Sequence, residues 1–336
     1  MTKPALDPFQ RRIPAAPPRS REERGPTPFP RTSALPLRGR APEDVVVDGH
    51  GRLLCGVEGG AVLRVDPLSG AQEEVGNTGG RPLGLETLDD GRVLVCDADR
   101  GLLRLDPETG HAETLVADVA GVPLRFCSNA VAEADGTVWF TESTTRFAFA
   151  HYMGAILEHR PSGRLLRRSP TGEVDVVLDA LYFANGLSLT PDGAALLLAE
   201  TIGPTLSRVA LTGHRAGVRD VVAPNLPGYP DNLSRFTDGR AWVALTNPRD
   251  PALDRLASAP AWAARALWAL PDRLRPAGRA TTWILAVDEH GAVLHDLQTP
   301  DAAYPMVTGV AEHDGDLYLA GLPGTALLRV HLSETP

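Results

Sequence analysis

Cysteine is scarce in this chain. Cys55, Cys96 and Cys127 are the only three among 336 residues. Three thiols cannot build a disulfide framework, and no CxxC pair is present to hold zinc. Buried free thiols in a reducing compartment are expected, because unpaired cysteine is usually interior. A single disulfide stays open. Long apolar runs are also missing. No stretch approaches the ~18–20 apolar residues of a spanning helix, and the N-terminal residues hold no apolar run of the secretory kind, ~7–15 residues long. A soluble, cytoplasmic protein is expected. Positive charge is not in excess either. The net charge is −9, whereas nucleic-acid phosphates call for basic patches, so no nucleic-acid partner is expected.

What is present is an ordinary globular balance, 43% hydrophobic and 22% charged, in a chain long enough to bury a large core. Residues 1–35 are rich in Pro and Arg, as in Pro14-Ala15-Ala16-Pro17-Pro18-Arg19. With little to bury, they read as a flexible or surface-wrapping leader. From there a pattern returns: a turn dipeptide, then a short apolar strand. It appears at Asp48-Gly49, Asp90-Gly91, Asp135-Gly136, Asp192-Gly193, Asp238-Gly239 and Asp314-Gly315. Asp-Gly between extended runs is a strong hairpin signal, because Gly supplies positive φ. A second set of turns, such as Asp66-Pro67-Leu68-Ser69-Gly70, lies between the first. Two hairpins per repeat give four strands, and units of this kind every ~40–50 residues read as propeller blades. The expected fold is all-β: a six-bladed β-propeller over residues 36–336. Before Asp314-Gly315 the spacing lengthens. There Leu253, Leu256, Trp262, Ala263, Ala266, Leu267, Leu270 and Leu274 recur at helical intervals, with Asp272 and Arg273 among the polar residues between them. A helical insertion over about residues 250–276 is expected on one face. It reads as a packed cap, with a lid or membrane-contact surface as the lesser alternative.

In a propeller the innermost strand of each blade begins near the central channel. Counting back from the turn glycines puts Glu43, Asn129, Asn185 and Asp231 at that point, with Asn232 adjacent. In the second repeat the place is held by Leu83-Gly84, and in the sixth by Thr308. Two carboxylates and two or three amides make a hard oxygen shell. Calcium takes 6–8 such ligands, magnesium demands a tighter octahedron, and zinc prefers nitrogen or sulfur. Ca²⁺ is therefore the expected cofactor. Taken singly, each residue reads as a turn residue bonding its own backbone. Their coincidence in repeat phase favours a shared metal.

Several segments carry a family resemblance: Ala41-Pro42-Glu43-Asp44-Val45, Arg81-Pro82-Leu83-Gly84-Leu85, Gly163-Arg164-Leu165-Leu166, Tyr182-Phe183-Ala184-Asn185-Gly186-Leu187 and Leu226-Pro227-Gly228-Tyr229-Pro230-Asp231-Asn232. From about residue 40 onward the chain resembles the strictosidine synthase-like proteins, near the arylesterase-like, membrane-associated adipocyte group. The wider superfamily includes gluconolactonases, paraoxonases and diisopropylfluorophosphatase. The resemblance implies a six-bladed propeller with a calcium in the central channel. It carries the metal ligands onto Glu43, Asn129, Asn185, Asp231 and Asn232. Two departures matter. The glutamate that plant strictosidine synthases use in the sixth blade is replaced by Thr308, whose hydroxyl cannot move protons as a carboxylate does. The histidine pair of paraoxonase-type lactonases is replaced by Leu83 and Ala98.

The expected function is calcium-dependent hydrolysis of an ester or lactone of small-molecule size. Asp231 is the expected nucleophile or base, and His151, in the loop before the fourth repeat, the expected proton carrier. Glu142 and Glu200 either face the pocket or cap the sheet. The alternatives are a condensing or cyclising enzyme of secondary metabolism, and a non-catalytic propeller with a structural calcium.

Overall fold

The computed structural model describes residues 3–271, 274–275, 278–300 and 304–332. Six four-stranded antiparallel sheets are arranged as blades. Blade 1 contains Val45–Val47, Leu53–Gly56, Ala61–Val65 and Gln72–Asn77. Blade 2 contains Pro82–Thr87, Val93–Asp97, Gly101–Leu105 and Ala112–Val116. Blade 3 contains Cys127–Ala132, Val138–Glu142, Gly163–Arg168 and Val174–Leu181. Blade 4 contains Ala184–Leu189, Ala195–Glu200, Thr205–Ala210 and Arg219–Ala223. Blade 5 contains Gly228–Leu233, Ala241–Pro248, Thr282–Val287 and Val293–Thr299. Blade 6 takes Val307–His313, Asp316–Gly321 and Ala326–His331 from the end of the chain. Its fourth strand, Thr32–Pro36, comes from the beginning and pairs antiparallel with Ala326–His331. This closes the ring. It also corrects the expected boundary at 35/36, which would cut through a blade strand.

The turns follow the Asp-Gly signals, with Gly91 and Gly136 at φ of 84° and 88°. In the first repeat the left-handed residue is Gly51, not Gly49. His50-Gly51 takes the place that Asp-Gly holds in the next repeats, the Gly51 N–H donating to the Asp48 carbonyl as that of Gly91 does to Leu88, and the Asp48 side chain accepts the N–H groups of His50 and Arg52. Separate apolar clusters fill the spaces between adjacent blades; one joins Leu94 and Cys96 to Cys127 and Phe140, another Leu196 and Leu198 to Trp139 and Leu165. All three cysteines are free and buried.

Three short helices cap one end of the ring: α1 (Tyr152–Glu158), α2 (Pro251–Leu256) and α3 (Ala261–Ala269). Each lies in a connection between a blade's second and third strands. In an antiparallel blade that connection falls at the end where the innermost strand begins. The cap therefore sits over the predicted axial residues. Leu6 of the leader, Phe126, Phe147, Phe183, Ala264 and Trp268 form its buried core. The insertion was expected to run to about 276; Asp272, Arg273 and Pro276 lie outside the described residues.

The leader is not the loosely held segment that a flexible reading implies. Leu6 is buried. The Phe9 N–H donates to the Glu158 carbonyl at 2.8 Å, and Arg19 grips Asp296 through two nitrogens at 2.6 and 2.7 Å. Arg11 lies over the Tyr182 ring at 3.7 Å and donates to the Ile202 carbonyl. Its arginines do the holding, so the segment wraps without a core of its own.

Candidate functional site

Each innermost strand from blade 2 to blade 6 breaks register near its start. The shifts fall between Pro82 and Leu85, Cys127 and Ala130, Ala184 and Leu187, Gly228 and Leu233, and Val307 and Gly309. A bulge re-aims the extra residue out of the ladder. The residues inside these breaks include Gly84, Asn129, Asn185, Asp231, Asn232 and Thr308. Glycines let the neighbouring strand come close. A Cβ on Gly186 would sit 2.6 Å from Asp231 O and Asn232 Cα, and one on Gly309 2.5 Å from Asp44 Oδ1.

The five predicted metal residues do meet at the axis, and none exposes more than 7% of its surface. Asn232 Nδ2 donates to Glu43 Oε2 at 3.2 Å, and Asn129 Nδ2 donates to Asn232 Oδ1 at 3.2 Å. Asn129 Oδ1 accepts the Leu187 N–H at 3.1 Å. Three blades are thus joined through one chain of side chains. Asn185 accepts from Ser128 Oγ at 3.0 Å, donates to Thr201 Oγ1 at 3.1 Å, and also supports the Asp231 carboxylate. Asp231 Oδ1 is buried with no hydrogen-bond partner.

Burial pushes the Glu43 carboxyl up to about 8. The charge of Asp231 adds to the rise, and Arg81 and Asn232 oppose it. Asp231 is also pushed up to about 8 by burial, against the Asn185 hydrogen bond, with the charge of Asp44 adding to it. Asp44 was not singled out from the sequence. Its carboxylate is buried and accepts the Val45 and Leu85 N–H groups at 2.9 and 3.0 Å, tying blade 1 to blade 2. The adjacent acids Glu43-Asp44 were the available signal.

Two carboxylates held this close in a dry site need a proton or a cation between them. The orphaned Asp231 oxygen and the amide-rich donor set fit a hard divalent ion of the calcium type. Among the described residues no group of three or more His, Cys, Asp or Glu side chains could hold a metal. An ion here would therefore depend on amide oxygens beside Glu43 and Asp231.

The predicted proton carrier and the flanking acids lie apart from this cluster. His151 is in the cap, its ring edge-on to Trp268 at 6.2 Å, and among the described residues no hydrogen bond joins it to Asp231. Glu142 and Glu200 cap the sheets: Glu142 pairs with Arg164 at 2.5 Å and Glu200 with Arg219 at 2.7 Å. Thr308 donates to the Glu43 carbonyl at 2.6 Å and so bridges blades 6 and 1. Leu83 and Ala98 belong to the apolar core of the cap. At the other end of the ring a cavity of about 750 Å³ runs inward along the innermost strands, past Thr87, Ala132, Leu189 and Ser234, to reach Asp44 and Asn129.

Two family models match: strictosidine synthase over residues 128–213, and the N-terminal region of strictosidine synthase-like proteins over residues 31–65. The adipocyte plasma membrane-associated protein of Salmo salar is 34% identical over 288 residues, covering 82% of this chain and 68% of its own. The chain belongs to the strictosidine synthase-like family. Strictosidine synthase-like 13 of Arabidopsis thaliana is 35% identical over 248 residues, with 72% of this chain and 61% of its own covered. Among solved structures, a gluconolactonase from Xanthomonas campestris superposes with a TM-score of 0.66 at 18% identity, covering 99% of each chain. Regucalcin of Agrobacterium tumefaciens, described as a calcium-binding protein, gives 0.62 at 14% identity, covering 91% of this chain and 95% of its own. At such identities these structures show the shared propeller. Among the described residues no helix is long and apolar enough to cross a membrane.

Proposed function

We infer that this strictosidine synthase-like propeller is a calcium-dependent hydrolase of a small ester or lactone. The observation that carries the reading is the axial pair Glu43 and Asp231, both buried, with one Asp231 oxygen left without a partner. Calcium, when bound, supplies positive charge that polarises a carbonyl oxygen. The chain supplies the rest. Asn185 and the bulge at blade 5 hold Asp231 in place, and its free oxygen is positioned to take a proton from an attacking water. Glu43 is fixed by Asn232, and Asn232 by Asn129, so the axial carboxylate is held from blade to blade. The water adds to the acyl carbon as one of its protons passes to Asp231, the acyl–oxygen bond breaks, Asp231 returns that proton to the alkoxide, and the acid formed ionises to a carboxylate. Condensation chemistry is less well supported, since the Thr308 hydroxyl is committed to the Glu43 carbonyl. A purely structural calcium is the second reading. It is favoured by the burial of every axial side chain beneath an apolar cap.

The test is hydrolysis of ethyl 2-naphthylacetate and of a δ-lactone by purified protein with calcium or EDTA. Turnover should disappear with EDTA and return with calcium, and Asp231→Ala should lower it by at least ~10³-fold. Turnover that persists in EDTA would overturn the reading.

A further inference from the structure

Arg81 lies just before the innermost strand of blade 2, at the same end of the ring as Glu43. Its side chain is buried, with 7% of the residue exposed. Nη2 donates to the Ala41 carbonyl at 2.7 Å, and the guanidinium lies over the Phe149 ring with Cζ 5.3 Å from its centroid. Nη1 is buried and has no hydrogen-bond partner. The other buried arginine of this end grips a carboxylate: Arg249 holds Asp254 at 2.7 Å. Arg81 has no carboxylate in ion-pair contact among the described residues. Glu43 is the acid whose field it feels most strongly, followed by Glu58, Asp97 and Asp99. A buried guanidinium normally comes with a bidentate anion, because its desolvation is costly. Beside it the wall is aromatic: Phe149 meets Phe126 edge-on at 5.5 Å, and Phe126 meets Phe183 at 5.4 Å.

We propose that Arg81 is an anion subsite, which binds the carboxylate of an aromatic or lipophilic acid against the Phe149–Phe126–Phe183 wall. The proposal rests on the hydrolytic reading only for where that acid comes from: it is the acyl product of the axial site. Nη1 supplies the free donor, the planar guanidinium matches a carboxylate edge, and the aromatic rings take the apolar body. Arg81 thereby narrows the substrate class to esters or lactones of aromatic or lipophilic acids, and it predicts competitive inhibition by the free acid.

The experiment titrates full-length, calcium-loaded protein with 2-naphthylacetate and with the neutral 2-naphthylacetamide by calorimetry. The carboxylate should bind roughly 10-fold or more tightly than the amide, the scale of a charge-assisted hydrogen bond. Arg81→Gln should remove that preference, and Arg81→Lys should keep part of it. Equal binding of the two compounds to the wild type overturns the proposal, and this arm needs no variant to fold. A carboxylate preference that survives Arg81→Gln overturns it as well, since the anion would then be held elsewhere. If no ester is turned over but the preference depends on Arg81, the subsite stands and the hydrolytic reading falls. If calcium-dependent hydrolysis proceeds while 2-naphthylacetate neither inhibits nor binds through Arg81, the subsite alone falls.

Discussion

Replacing Asp231 by asparagine should stabilise the calcium-free protein at pH 8 and remove its stabilisation by calcium. The folded state holds the Asp231 carboxyl at about 8, against its ordinary 3.8. A carboxyl raised on folding stabilises fully below the unfolded value, and that contribution is lost as pH climbs to the folded one. About four units at ~1.4 kcal/mol each amount to roughly 5 kcal/mol lost between pH 4 and pH 8. Asparagine removes the charge but introduces an amide N–H₂ in a buried place, at a cost of ~1–3 kcal/mol. The net gain at pH 8 is then roughly 2–4 kcal/mol, or about 5 °C in Tm for a chain of this size. Near pH 4.5 the gain should vanish or reverse. With calcium at about 1,000 times its Kd the wild type gains ~4 kcal/mol by mass action, and the variant should gain far less. Calcium should therefore erase the variant's advantage or invert the ranking by up to about 2 kcal/mol. Calorimetry at pH 4.5 and pH 8, in EDTA and in calcium, measures all four corners. A variant that is less stable than the wild type in EDTA at pH 8 would refute the account of the buried acid. Equal stabilisation of both proteins by calcium would refute Asp231 as a ligand.

Gly186→Ala should cost ~1–3 kcal/mol, the usual scale of overpacking, because its methyl would press on Asp231 O and Asn232 Cα at 2.6 Å; isothermal titration should show weaker calcium binding in the same variant. Arg249→Ala should be more damaging, by ~3–5 kcal/mol in denaturant unfolding. It strands Asp254 and releases Asn225 and the Pro14 carbonyl, which Arg249 Nη1 and Nη2 hold at 2.7 and 2.8 Å. Limited proteolysis should then cut the leader first. Deleting residues 1–37 should yield aggregating protein by light scattering, because Ala326–His331 becomes an open edge. A deletion that stops before Thr32 should aggregate less.

The repeat phase of the Asp-Gly turns was enough to locate all six blades, since each turn needs a backbone that few residues adopt. It also placed Asn129, Asn185 and Asp231, because the bulge recurs near the start of the innermost strand in blades 2 to 6, and Glu43, which precedes the unbulged innermost strand of blade 1. The boundary at the leader was hidden. Thr32–Pro36 shows burial only of an edge strand, mostly exposed, so composition did not mark it as part of a sheet. The placement of His151 was also unreadable, because a loop histidine follows the helices that carry it, and α1 packs against α3 across the ring. Arg81 stood in a quoted motif, yet nothing in the sequence indicates that a guanidinium will be buried with one nitrogen unpaired.

Ring closure has a consequence for biosynthesis. The strand at Thr32–Pro36 is made long before its partner, Ala326–His331. The Thr308 hydroxyl meets the Glu43 carbonyl only after both have been synthesised. A nascent chain therefore already carries all five candidate axial residues, Glu43 to Asn232, while the first strand of the chain still waits for the blade it completes. Pairing of this strand with Ala326–His331 would mark the moment at which the circle is complete, so protection of its edge can serve as a gauge of finished folding.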